Sequence, residues 1–163
     1  MRLLLFWGII KMVLWHRVIQ QDDAQVLNAV VYFNSELELA KDELKITGSI
    51  VGMLQQHPYI YENRYGQWQQ LETIVEIMES KQKNIKSTLF KKYTSSGQRM
   101  LTSTDAMKYV EGDQQYVDYA LLIAEIVYLK ERFAGVVKAL EQKYWSLSTI
   151  AKLRTAGIED AAV

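Results

Sequence analysis

The sequence predicts an all-α protein: an elongated helical bundle of two or three long helices with short terminal helices and coiled-coil-like packing. Three observations carry that expectation. Apolar residues recur at intervals of three and four along most of the chain, the spacing of one helical face. The 163 residues include one proline and eight glycines, so little interrupts a helix. Tyr119, Leu122, Ile126, Leu129, Phe133, Val136 and Leu140 then alternate steps of three and four without a break, a seam regular enough for coiled-coil packing within one chain or between chains.

The first fifteen residues, MRLLLFWGIIKMVLW, stand apart. Their apolar block Leu3 to Ile10 is interrupted by Lys11, well short of the ~20 apolar residues that span a bilayer. No small-residue cleavage site follows, as a signal peptide would need. Three readings stay open: an arm buried against a partner, a weak membrane anchor, or an upstream start with Met12 as the initiator, which is the preferred one. A membrane is not an expected partner.

Asp22 and Asp23 carry helix-start chemistry. From there Val26, Leu27, Val30, Val31, Phe33, Leu37, Ala40 and Leu44 make one apolar face that continues through Ile50, Val51 and Leu54. Glu36, Glu38, Asp42 and Glu43 lie largely off that face and read as solvated. His57 precedes Pro58 and is pushed away from helical geometry, so the first long helix is expected to end there. A second helix is expected from Pro58 toward Tyr93. Its seam holds Tyr61, Tyr65, Trp68, Leu71, Val75, Met78, Ile85 and Leu89. Thr94 to Gly97 reads as a turn. Thr102 or Ser103 can cap a short helix ended by Gly112, and Asp113 can cap the next. In that helix a second apolar row, Tyr116, Ala120, Ile123 and Val127, lies beside the seam. A stripe this wide exceeds what a lone hairpin buries and suggests self-association. A short closing helix, Tyr144 to Ala156, carries Trp145, Leu147, Ile150 and Leu153 and ends at Gly157.

Chemistry-bearing motifs are few. There is no cysteine, hence no disulfide, no thiol nucleophile and no thiolate metal site, which fits a reducing compartment, the cytoplasm. His16 and His57 are far apart and sit in no metal-ligand spacing, and no nucleophile-elbow or phosphate-loop pattern occurs. No enzyme is expected, and no cofactor or metal. The informative stretch is Lys81 to Arg99, KQKNIKSTLFKKYTSSGQR. It concentrates six basic residues, Lys81, Lys83, Lys86, Lys91, Lys92 and Arg99, with no acidic one, in a chain whose formal net charge is zero. Such a run attracts polyanions. Phe90 and Tyr93 lie within it. Aromatic rings beside lysines suit single strands, because bases stack while ammonium groups neutralise phosphates. The competing reading is a helix end whose lysines complement the dipole.

The C-terminal half resembles the UvsY family of phage recombination mediators. The resemblance runs through Lys91-Lys92-Tyr93, Gly97, then Leu101, Asp105, Tyr109 and Asp113. It closes with Lys143, Trp145, Leu147, Ile150, Leu153 and Arg154. It covers about residues 85–157. Departures are a longer aromatic-to-glycine spacing, lysine for the family's usual arginine at Lys143, and Ser148 where lysine is common. The resemblance implies a single-stranded DNA-binding homo-oligomer, located in the host cytoplasm, that helps load a RecA-type recombinase onto strands coated by single-strand-binding protein. On that basis Lys81, Lys83, Lys86, Lys91, Lys92, Tyr93 and Arg99 are expected to bind DNA. Tyr119, Leu122, Ile126, Leu129, Phe133, Val136, Leu140 and Trp145 are expected to mediate oligomerisation. Residues 16–157 would form the functional domain, after the apolar segment 1–15 and before a frayed tail, 158–163. The alternative is an oligomeric helical structural or assembly protein of a phage that does not bind DNA.

Overall fold

The computed structural model describes residues 13–95 and 101–157. The expectations for residues 1–12, for Gly97 and Arg99, and for the tail 158–163 lie outside them. The fold is all-α, with no strand among the described residues. Helix α1 spans Trp15–Gln21, and a single 3-10 turn spans Asp23–Gln25. Then come α2 (Val26–Glu43), α3 (Ile50–Ser95), α4 (Ser103–Gly112) and α5 (Gln114–Thr155).

Local chemistry explains most boundaries. Asp22 accepts the Ala24 amide and so opens the 3-10 turn. The Thr102 hydroxyl accepts the Asp105 amide at 3.2 Å and starts α4. Asp113 accepts the Gln115 amide at 2.9 Å and starts α5. Gly157, at φ +75°, follows α5, a backbone shape that residues with a Cβ rarely adopt.

Two boundaries correct the sequence reading. The first long helix stops at Glu43, and α3 then runs from Ile50 straight through Pro58. The break falls at Gly48, whose φ of +83° no helix accommodates. Ser49 then accepts the Gly52 amide at 3.3 Å, as an N-cap does. Proline inside a helix removes one amide donor, but packing overrides that cost here. The residue before it, His57, is buried and bonds the Leu140 carbonyl through Nε2 at 2.9 Å. The closing helix is not separate either: α5 continues through Tyr144 to Thr155. Between Gly135 and Gly157 it holds neither glycine nor proline, and Leu147 is fully buried.

Helices α3 and α5 lie antiparallel, since His57 meets Leu140 at one end and Tyr93 meets Asp113 at the other. Helix α2 also runs antiparallel to α3, with Tyr32 and Glu36 opposite Gln67 and Glu43 opposite Arg64. The stripe Val26, Ala29, Phe33, Leu37 and Ala40 faces the core. Phe33 meets Phe133 of α5 edge to face, centroids 5.7 Å apart. Leu71, Ile74 and Met78 of α3 complete this core.

One layer of it is ionic. Arg64 is 2% exposed. It grips Glu43 with two bonds, 2.6 and 2.7 Å, and donates to Glu36 at 2.7 Å and to Gln67 at 2.8 Å. Gln67 in turn donates to Glu36 at 2.8 Å. Burial alone pulls the Arg64 guanidinium down. The hydrogen bonds and charges of Glu43 and Glu36 together outweigh that, holding it above its ordinary value. Glu36 and Glu43 are therefore not solvated as expected. They are seven residues apart, so both point from α2 at one place on α3.

Candidate nucleic-acid interface

The described part of the basic run, residues 81–95, forms the last turns of α3, where the structure sorts its residues into different jobs. Lys81 turns inward. Its ammonium donates to the Ile19 carbonyl at 2.8 Å and pairs with Asp23. It thereby satisfies the C-terminal carbonyls of α1, where a cation also meets the negative end of the dipole. Lys83 and Lys91 are exposed and make no ion pair among the described residues. Lys86 lies 3.9 Å from Glu111. Lys92 lies 3.8 Å from Asp113 and 5.2 Å from the centre of the Tyr93 ring.

At about 100° per residue, Lys83 and Lys91 project from α3 within roughly 80° of each other, on the side away from the buried Met78 and Leu89. Lys81 and Lys92 project toward the opposite side. The run therefore presents an outward pair of lysines, with Lys86 beside it and Lys92 on the other side of the helix.

Tyr93 is not an open ring. Its hydroxyl donates to Asp113 Oδ2 at 2.6 Å, and the ring stacks on Tyr109 with centroids 5.7 Å apart. Asp113 also caps α5, so Tyr93 clasps the end of α3 to the start of α5. The hydrogen bond to Asp113 pushes the Tyr93 phenol above its ordinary value, with burial and the Asp113 charge adding. The same bond is the main cause that holds the Asp113 carboxyl below its usual range. Burial opposes it, while the Gln115 amide and Lys92 assist. The accessible ring is Tyr109, 56% exposed, which borders a hollow of about 400 Å³ with Leu101, Asp105 and Lys108. Sequence reading placed Tyr109 only in the family pattern. The sequence signal for its position is its i,i+4 relation to Asp105 in the first turn of α4, which puts both side chains on one face of that helix.

Most of the residues expected to mediate oligomerisation lie inside the chain's own core. Tyr119, Ile126, Leu129, Phe133, Val136 and Leu140 are all buried in the chain's own core, where α2 and α3 cover them. Leu122 is partly buried against the same core. Within one chain the seam is already covered, because the break at Gly48 lets α2 fold back and supply a third layer. Trp145 alone stands out, 64% exposed. Lys143, a carrier of the family resemblance, donates to the Glu43 and Lys45 carbonyls at 2.6 and 2.7 Å and so caps α2. Burial lowers its pKa, and Glu43 partly counters that.

Among the described residues no group of three or more histidines and carboxylates could hold a metal ion, and no helix is long and apolar enough to cross a membrane. No family model, curated protein or solved structure matches the chain.

Proposed function

We propose that this chain binds single-stranded DNA through the end of α3 and acts as a recombination mediator of the UvsY type, helping to load a RecA-type recombinase onto strands coated by single-strand-binding protein. The observation that carries the reading is a nineteen-residue run without a carboxylate in a chain of zero net charge, whose Lys83 and Lys91 project outward. In this reading Lys83, Lys91 and the neighbouring Lys86 meet phosphates, Lys92 and Arg99 add to them from beside that face, and Tyr109 offers its ring to a base. Lys81 and Tyr93 hold the site together without meeting the strand.

Fluorescence anisotropy on an oligo-dT strand and on a duplex, at several salt concentrations, tests it. Two phosphates neutralised per subunit give a slope of about −1.4 in log K against log salt. Raising salt from about 50 to 200 mM then lowers affinity about sevenfold. Lys83→Ala with Lys91→Ala flattens that slope. Tyr109→Ala lowers affinity by about 1–3 kcal/mol per stacked base at an unchanged slope. Strand binding that is absent, or indifferent to both lysines, overturns the proposal.

A second reading is a helical structural or assembly protein without DNA binding. It is favoured by Lys81, Lys86 and Lys92, each of which already faces a carboxylate of its own chain.

A further inference from the structure

Far from the basic run, rings carried by α3 and α5 line a groove between the two helices. Two hollows, of about 430 and 260 Å³, share Tyr61 and Glu141 and so adjoin. Along α3, His57, Tyr61, Tyr65 and Trp68 follow one another with centroids 6.2, 6.0 and 5.4 Å apart. Across from them, Tyr144 lies 5.6 Å from His57, and Trp145 stands edge-on to Tyr144 at 5.5 Å. Tyr144 and Trp145 are 44% and 64% exposed, so large apolar surface faces water at the smaller hollow. Isolated exposed rings are ordinary, but converging ones are not.

The hollow also holds a charge. Glu141 accepts the Tyr61 hydroxyl at 2.9 Å through Oε1. Its Oε2 makes no hydrogen bond among the described residues. The exposed rings of Tyr144 and Trp145 and one carboxylate line the smaller hollow, while Lys138 lines only the larger one; ring quadrupoles attract positive charge, and the carboxylate adds to the attraction. A nucleic-acid strand fits less well, because Glu141 repels phosphate.

We propose that this hollow is a binding site for a cationic side chain, an arginine presented on a basic peptide segment of a partner protein. The guanidinium stacks on the exposed ring of Tyr144 or Trp145, and its N–H groups donate to Glu141. Arginine suits the site better than lysine, because its flat, weakly hydrated head stacks on rings and bonds a carboxylate at once.

The test uses the full chain, 15N-labelled, titrated with the capped tripeptide acetyl-Gly-Arg-Gly-amide. Its counterpart with citrulline, of the same shape without charge, serves as control. The Trp145 indole signal is assigned by its loss in Trp145→Phe. The expected result is a saturable shift of that signal with the arginine peptide and none with citrulline. Trp145→Ala and Glu141→Gln should each weaken binding by roughly 2- to 30-fold, the range a cation–π contact spans. Both side chains are on the surface, so the fold should survive, and circular dichroism checks that it does. Lys83→Ala with Lys91→Ala should leave peptide binding unchanged. Three outcomes overturn the proposal: equal shifts with citrulline, a Trp145 shift produced by oligo-dT but not by the peptide, or self-association of the free chain that Trp145→Ala abolishes without any peptide response.

Discussion

Replacing Arg64 with alanine tests how far the ionic layer between α2 and α3 holds the fold together. The change removes four hydrogen bonds and leaves Glu36, Glu43 and Gln67 facing one another. Removing one partner of a buried ion pair costs ~3–5 kcal/mol. The Glu36 and Glu43 side chains keep 19% and 26% exposure, so water relieves part of the stranded charge, and the expected loss sits at the low end, about 3 kcal/mol. For a domain of this size that lowers the melting temperature by roughly 6–12 °C. Urea unfolding followed by far-UV circular dichroism measures it. Arg64→Lys should recover only part of the loss, because an ammonium cannot make the paired grip on Glu43. A triple variant, Glu36→Gln, Glu43→Gln and Arg64→Met, should recover more than half, because no buried charge is then left alone. If Arg64→Ala stays within about 1 kcal/mol of the parent at an unchanged urea slope, the layer is as weak as a surface pair and the reasoning fails.

Three further outcomes are expected. Tyr119 is buried with no hydrogen-bond partner for its hydroxyl among the described residues; burial, with the Asp23 charge adding, pushes its phenol up to about 12. A folded pKa above the unfolded value near 10 means stability holds below about pH 10 and falls as pH rises toward 12, so Tyr119→Phe should unfold less readily in alkali and lose nothing at neutral pH. Asp113 is depressed, so its contribution is present above the ordinary carboxylate range and lost as pH falls through its folded value. An acid titration of Tyr93→Phe should show a smaller loss over that interval than the parent does. Ile126→Asp should unfold the chain and yield no smaller folded species, since Ile126 is fully buried within one protomer. Circular dichroism with size-exclusion chromatography distinguishes the two.

The fold class was legible because periodicity of three and four reports a helical face directly. The stripe Val26 to Ala40 and the seam Tyr119 to Leu140 both face the core. What periodicity does not report is which surface covers a face. The seam looked too wide for one chain because α2 was read as continuing past Gly48. Once α2 ends at Glu43, it folds back and fills that width. Pro58 misled for a related reason: a local preference was set against long-range contacts of His57 that only the fold creates. The site was half legible. A run of lysines is visible in sequence. That Lys81 caps α1 and Tyr93 bonds Asp113 depends on partners 62 and 20 residues away. Arg64 gave no sign, since a lone arginine among polar neighbours reads as surface until two carboxylates seven residues apart are placed opposite it.

Helix α3 also works as a ruler. Thirty residues separate Tyr61 in the aromatic groove from Lys91 at the basic end, roughly 45 Å at about 1.5 Å per residue. Helix α5 lies beside α3 over that length and stiffens it against bending. A strand at one tip and a protein segment at the other would neither collide nor compete, so both could be held together at a fixed separation. Whatever docks in the groove is then kept a set distance from whatever docks on the lysines, and the number of helical turns between them sets that distance.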